Sequence, residues 1–526
     1  VIEVEVHQQL RAFLREQGEP YWHHHLTMAR LVARALRLGR SALLQAGAPS
    51  GYHGRYRLSY LMPLLIWQGS AILVATEAVQ QRLLMVEIPR LRQWIPNGRK
   101  IRTGDRWFEG FEGLLLTTPQ SWLSDRLMHE GRFPGHIPTV IDGVDDLEVW
   151  ARNVLTQEIR PQNWDELMAA RPADSDIIRD ARVQLTRSIF QHPANPYECY
   201  LIEPQEQEIL DYLFQRLEFF TSERPEREQV QELETNCLPH PWQHFGQVYQ
   251  QPGQLLWADV NRQQGQFSLS CRPADVSEQL APIWPQQPVV LIGGALDLDP
   301  EAKIYRQRLG LLEDMTSLKF SLDRQQELIQ LYLPDGLPMP NTPQFQAVIM
   351  QELRALLSAT NTANQGLTVV LVGDVPLKAQ IGSVLAAEFG SRVQVEKTCL
   401  DDHGILVTGW KFWRQHQAVL PAPFLLVIAT LPLPSLEEPL VAGRVAHYKR
   451  NRQDWFRLYL LPEALSELQR AIAPVRESQG VVALLDNRVN HRSYGKQALA
   501  ALSPFARINY VDASLFTPLE ELGIGE

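Results

Sequence analysis

Residues with the types and spacing for chemistry first appear between Leu43 and Trp67, in LLQAGAPSGYHGRYRLSYLMPLLIW. An apolar strand end, a turn of small residues and an apolar helix outline a phosphate-binding loop. In such a loop backbone N–H groups and a lysine cradle phosphates. Ala46 and Gly51 fit the frame small-x4-G-K-[ST], with Gly47 inside it; Tyr52 then takes the lysine position and His53 the Ser/Thr position. Aligned backward from YLMP, the frame instead puts Tyr56 at the lysine position. No shift supplies a lysine, because the first of the chain's 8 lysines is Lys100. Arg55 carries charge, but a planar guanidinium does not replace a compact ammonium. A structural turn through Gly47, Gly51 and Gly54 is the simpler expectation.

Three other groups of residues suggest chemistry. Lys411, Phe412, Trp413 and Arg414 set basic residues beside aromatics, a pattern that suits nucleic acid; a core Phe/Trp pair flanked by surface charge would read the same. His23, His24 and His25 suggest a metal, yet consecutive residues point in different directions, so packed or solvated histidines are expected. The four cysteines, Cys199, Cys237, Cys271 and Cys399, form no CxxC pair and match no zinc or iron–sulfur spacing.

The elements that would position these residues alternate along the 526-residue chain, which is long enough for several domains. Short apolar strands such as SAILVAT, GLLLTTP and PTVIDGV alternate with amphipathic helices such as LTMARLVARALRLGR and EAVQQRLLMVEIPRL. That alternation predicts α/β structure with parallel sheets. From residue 151 to 283 the texture becomes Gln/Glu/Arg-rich and predicts a mostly helical insertion; PVVLIGGALDLDP then returns to the earlier style at 284–300. The rest, 301–526, repeats the α/β pattern through GLTVVLVGD, GILVTG, APFLLVIAT and QGVVALLD. The acid-rich stretch from 203 to 235 is expected to be a solvated face, or a place for a protein partner to dock. The net charge is −10, so nucleic acid would need a local basic groove. The N-terminus VIEVEVHQQL is acidic and amphipathic, unlike a signal peptide, and no apolar run is long enough to span a bilayer. A soluble cytoplasmic protein, with no membrane partner, is expected.

The order of segments resembles the bacterial DinG-like and XPD-like DNA helicases of superfamily 2, from near Leu26 to about Pro504. After the loop and YLMP come VATEAVQQRLL, LTTPQSWLSD and VIDGVDDLE, the last standing where the family has V-I-D-E-A-H-x-L-E. LLWADV, CRPADVSEQL and LIGGAL follow, then GWKFWRQHQ, LPLPSLEEP and LDNRVNHRSYGKQALAALSP. The resemblance implies two RecA-like parallel-sheet domains, residues 1–150 with the 284–300 return strand and residues 301–526, with the 151–283 insertion in the first. It also implies ATP-dependent DNA helicase chemistry. That chemistry requires a lysine on the phosphates, Mg²⁺ on a carboxylate, a carboxylate to orient water and an arginine finger.

Mapped onto this chain, the resemblance leaves remnants. Asp142 stands at the Mg²⁺ position, Gly143 replaces the water-orienting Glu, and Asp145 stands at the His position. Asp142, Asp145 and Asp146 are expected mainly to cap the helix that follows. In LQRAIAPVR, Gln469 and Arg476 match the ends of Q-x-x-G-R-x-x-R, but Ala473 stands for the finger arginine. The S-A-T motif reads Gly293-Gly294-Ala295, and no cysteine lies between Thr76 and Asp142, where an iron–sulfur cluster would be held. Family-like positions for nucleic-acid contact are Thr76, Thr117, Thr118 and the Lys411–Arg414 cluster. The expectation is a nucleic-acid-binding, helicase-like protein that does not hydrolyse ATP and carries no cofactor. An active helicase with divergent motifs, using ATP and Mg²⁺, and a protein-interaction scaffold are the alternatives.

Overall fold

The computed structural model describes residues 2–18, 20–95, 98–217, 238–363, 366–401 and 403–511. The first sheet is built from β1 (Ala42–Gln45), β2 (Ala71–Val74), β3 (Ile101–Thr103), β4 (Leu114–Thr117) and β5 (Thr139–Asp142). After a long excursion the chain returns to it. The excursion carries β6 (Gln157–Ile159), β7 (Cys199–Leu201), β8 (Gln254–Asn261) and β9 (Gln266–Pro273). β10 (Val289–Gly293) and β11 (Thr316–Lys319) then complete a seven-stranded sheet of order β11-β1-β10-β5-β2-β4-β3, parallel throughout. The first sheet therefore extends past the 284–300 return strand that the sequence suggested.

The second sheet contains β12 (Ile329–Tyr332), β13 (Thr368–Leu371), β14 (Val393–Val395), β15 (Ile405–Thr408), β16 (Leu425–Ile428), β17 (Val481–Leu484) and β18 (Phe505–Ile508). Its order is β14-β15-β13-β16-β17-β12-β18, again all parallel. These are the two RecA-like sheets implied by the resemblance.

Strands such as AILV, LLLT and TVVL are buried along their whole length, as expected when helices cover both faces of a parallel sheet. In the second sheet, Val369, Leu371, Leu426 and Ile428 join one core, and Val370, Val372, Val427 and Ala429 the other. That alternation is the strand's period of two. In the first sheet, Leu44, Leu73, Leu116 and Ile292 meet Leu10, Phe13, Val32, Leu36 and Leu61 from the helices Ile2–Gln17, His25–Leu38 and Leu58–Ile66. Each fully buried Leu or Ile stabilises by about 1.5–3 kcal/mol. In the first sheet, register brings Gln45 beside Gly293, Ile292 beside Asp142 and Val74 beside Thr117 at the carboxyl ends. In open α/β sheets that edge carries the ligand site.

Residues Glu148–Leu280 and Pro434–Trp455 form a separate compact unit; both parallel sheets belong to the other. The insertion is mostly helical, with Pro161–Ala170, Ser175–Gln191, Pro204–Arg216 and His240–Tyr249. Beyond the helices that the composition predicts, it holds an antiparallel sheet of order β6-β9-β8-β7. LLWADV lies on β8 and the start of CRPADVSEQL on β9, paired from Gln254 with Pro273 to Asn261 with Gln266. Trp164 and Trp242 meet edge to face at 4.8 Å in this unit's core. Of the acid-rich stretch, the helix ends at Arg216, and residues 218–237, Cys237 included, lie outside the described residues. Among the described residues no helix is long and apolar enough to cross a membrane.

Candidate functional site

The loop after β1 turns at Gly47 (φ 90°, ψ 140°), a conformation that suits glycine, and enters the short helix Ala48–Tyr52. Ser50 Oγ donates to the carbonyls of Ala46 at 2.6 Å and Gly47 at 2.9 Å, and the Gly51 N–H to Gly47 at 3.1 Å. The turn is thus bonded to itself. It also packs directly on the loop after β10. A Cβ added at Gly294 would lie 3.3 Å from the Cα of Ala48, and one at Gly51 would lie 3.6 Å from the Cα of Gly294. Ala48, Ala295 and Ala473 are buried against one another, with Tyr52 packed beside them. Ala473, at the finger position, therefore lies in an apolar contact with the turn.

The two frames for the missing lysine lead to different places. Tyr52 donates from its hydroxyl to the Gln417 carbonyl at 2.7 Å. Its phenol is pushed up to about 12 by burial and by the nearby Glu477 carboxylate. Tyr56 is buried and donates to Asp142. Asp142, 3 % exposed, also accepts from Tyr60 Oη at 3.0 Å and from Arg57 Nε at 3.2 Å. Burial, and then the Asp142 charge, raise both phenols well above their ordinary value. For Arg57, burial alone would lower the pKa, but Asp142 outweighs it and the guanidinium is held charged. A carboxylate that accepts from one guanidinium and two hydroxyls is satisfied within the protein.

Asp145 and Asp146, expected mainly to cap the following helix, also reach partners far along the chain. The turn starts at Gly143 (φ 76°) with no side-chain cap. Asp145 accepts from the backbone N–H of Gly294 at 2.9 Å and of Ala295 at 2.6 Å, fixing the loop after β10. Asp146 pairs with Arg414 and, at 3.1 Å, with Arg470. Arg470 also approaches Asp145 at 3.8 Å. Gln469 Nε2 donates to the Leu465 carbonyl of its own helix at 3.3 Å. Arg476 is buried and donates to the carbonyls of Glu327, Leu502, Ser503 and Pro504. Burial lowers its pKa to about 10, and its role here is to tie chain segments together. Arg55 and His53 both turn to Glu477, His53 at 3.2 Å.

The positions suggested for nucleic acid are largely engaged elsewhere. Thr117 is buried and its hydroxyl has no partner. Thr118 caps the next helix, accepting from the Ser121 N–H at 3.1 Å. Trp413 is fully buried and donates to the Ala471 carbonyl at 3.1 Å, so it offers no stacking face. Phe412 is half-buried on His416, ring centres 4.2 Å apart, and Arg414 pairs with Asp146 and Glu467. This is the core-pair reading of the cluster. Of the seven residues, Thr76 and Lys411 keep solvent-accessible polar ends that no described side chain engages.

In the histidine run His23 is exposed, while His24 and His25 are engaged with the protein. His25 sits between Ser59 Oγ and the Pro20 carbonyl, each at 2.9 Å, and burial lowers its pKa to about 4. His24 bonds the Ser321 carbonyl at 2.9 Å. Among the described residues no group of three or more His, Cys, Asp or Glu is placed to hold a metal ion. Cys199 and Cys271 are buried free thiols, both pushed up to about 12 by burial.

A family model described as a helicase C-terminal domain matches residues 424–505. Over 270 residues the chain is 25% identical to the ATP-dependent DNA helicase YoaA of Haemophilus influenzae, covering 48% of this chain and 41% of that protein. The Escherichia coli K12 protein of the same name is 23% identical over 271 residues, covering 49% and 42%. The chain thus spans less than half the length of the curated relatives it matches. In fold it is similar to an XPD helicase structure (TM-score 0.56, 11% identity, 93% of this chain and 100% of that one). It is equally similar to S. tokodaii Xpd4 (TM-score 0.57, 14% identity, 93% and 100%). The order of motifs, the two parallel sheets and these likenesses agree: this chain is similar to the DinG/XPD-like helicases of superfamily 2.

Proposed function

We propose that this chain is a helicase-like nucleic-acid-binding protein that does not hydrolyse ATP. The observation that carries the reading is Asp142. The carboxylate that would hold Mg²⁺ already accepts from Tyr56, Tyr60 and Arg57. The surroundings agree. The phosphate turn contains no lysine, Gly143 leaves no carboxylate to orient water, and Ala473 puts an apolar methyl where a cation would stabilise the transferring phosphoryl group. An arginine finger alone contributes roughly 10³–10⁵ in rate. Mg²⁺–ATP does not fit these residues as they are arranged, and we assign no step through it. Free buried Cys199 and Cys271 suit a reducing cytoplasm.

The curated relatives carry the name DNA helicase, so single-stranded DNA is the first nucleic acid to test. Thr76 and Lys411 are the starting contacts. A protein-interaction scaffold is the second reading. It is favoured by the net charge of −10 and by the inward engagement of Trp413 and Arg414. Two measurements decide. Phosphate release from ATP, with and without single-stranded DNA, is expected to stay at the buffer blank; turnover stimulated by DNA would overturn the silent reading. Fluorescence anisotropy of a labelled single strand is expected to rise on adding protein and to fall with salt. No rise at low salt would leave the scaffold.

A further inference from the structure

We infer that a latch of this chain's own side chains bridges the two parallel sheets where a helicase would place a nucleotide. The inference rests on the reading that Mg²⁺–ATP does not occupy the cleft. It concerns what holds the two halves together instead.

Four sets of contacts cross between the β1–β11 half and the β12–β18 half, which share one compact unit. At the phosphate turn, Tyr52 reaches the Gln417 carbonyl at 2.7 Å, and Arg55 and His53 meet Glu477. After β5, Asp146 lies between Arg414 and Arg470. After β10, the Ala295 carbonyl accepts from Ser466 Oγ at 2.7 Å, and Arg308 pairs with Glu463. Ala48 and Ala295 from the first half close on Ala473 from the second.

Each half contributes both signs. The first gives Arg55, Arg308 and Asp146; the second gives Glu477, Glu463, Arg414 and Arg470. Interlocked pairs of opposite polarity fix one register and penalise a slipped one. The apolar contact needs small side chains on both sides, and the sequence supplies alanine or glycine at Ala48, Gly294, Ala295 and Ala473. A gap for a triphosphate would need these groups apart and its wall cationic, whereas here Ala48 and Ala295 are buried against Ala473. The consequence is a pair of RecA-like domains held in one closed arrangement, so that nucleic-acid affinity does not respond to nucleotide.

The test is a distance distribution between labels at Met85 and Val419, which are 78% and 75% exposed and lie one in each half. Labels enter through encoded unnatural side chains, leaving the cysteines intact. The natural chain is expected to give one narrow distance, the same with and without Mg²⁺–ATP. Tyr52→Phe with Asp146→Asn and Glu477→Gln is expected to at least double its width, circular dichroism confirming the fold. Tyr52→Phe alone, which removes one hydroxyl, is the milder variant if the triple does not fold, and is expected to broaden the distribution less. A broad distribution in the natural chain that ignores Mg²⁺–ATP would sink the latch and leave the silent reading standing. A distance that shifts on adding Mg²⁺–ATP would sink both. A triple variant, folded and as narrow as the natural chain, would show that these contacts are not what holds the halves.

Discussion

Asp142→Asn separates a structural carboxylate from a metal-binding one. In a working phosphate site the carboxylate faces solvent and ion, and the amide costs activity while the fold stands. Here Asp142 is 3 % exposed and accepts from Tyr56, Tyr60 and Arg57. The amide keeps one acceptor oxygen, adds two donors that face donors, and leaves the Arg57 charge buried without its counter-ion. Breaking one side of a buried pair costs about 3–5 kcal/mol. At roughly 2–4 °C per kcal/mol for a domain of 150–250 residues, the lower figure alone predicts a Tm drop of about 6–12 °C. Circular dichroism melts read it. Replacing the whole cluster with apolar groups (Asp142→Leu, Arg57→Met, Tyr56→Phe, Tyr60→Phe) should recover most of the loss, because no buried charge is then stranded. The reasoning is refuted if Asp142→Asn melts within about 1 °C of the natural chain and a measurable ATP turnover disappears with it.

Thr117→Val removes a buried hydroxyl without a partner. It should leave DNA affinity unchanged and raise stability by up to about 1 kcal/mol, whereas a tenfold loss of affinity in anisotropy would return Thr117 to the interface. Restoring Gly143→Glu and Ala473→Arg together should yield no phosphate release. It should also destabilise by about 2 kcal/mol or more, since Gly143 has φ 76° and Ala473 is packed on Ala48; phosphate release would contradict this. His25 is favoured neutral in the fold, with its pKa lowered from 6.5 to about 4 by burial. Its contribution is complete above pH 6.5 and is lost as pH falls toward 4, at most about 3 kcal/mol; urea midpoints should show this slope, and His25→Gln should flatten it. Tyr56 and Tyr60 have the opposite sense, their phenols raised by burial and then by Asp142. Their contribution is complete below the unfolded value near ~10 and falls as pH rises past it. Their phenolate absorbance should therefore appear only with unfolding, and reversible ionisation in the folded chain would remove them from the cluster.

How far the sequence could be read depended on how local each signal was. Strands buried on both faces are apolar runs whatever their neighbours, so β1, β2, β4, β5 and β10 were legible as strands. β8 alternates buried and less buried positions, and within a polar stretch it read only as a motif flanking the return strand. The roles of Asp145 and Asp146 could not be read locally. Their partners Gly294 and Arg470 lie 149 and 324 residues away, while a carboxylate before a helix has a local reading as a cap. Trp413 differed from a stacking residue only by helix phase, which a four-residue pattern does not fix. The catalytic losses were legible one at a time, but not their connection. Without a lysine at the turn, Tyr56 and Arg57 can reach Asp142. Without a side chain at Gly293, where a Cβ would lie 2.8 Å from Asp145 Oδ2, that carboxylate can hold the next two N–H groups. Without an arginine at Ala473, the two halves can meet through methyl groups. Each loss supplies the space or polarity another contact uses, so the changes are coupled, and reverting one or two strands charges or overfills a packed site rather than rebuilding catalysis.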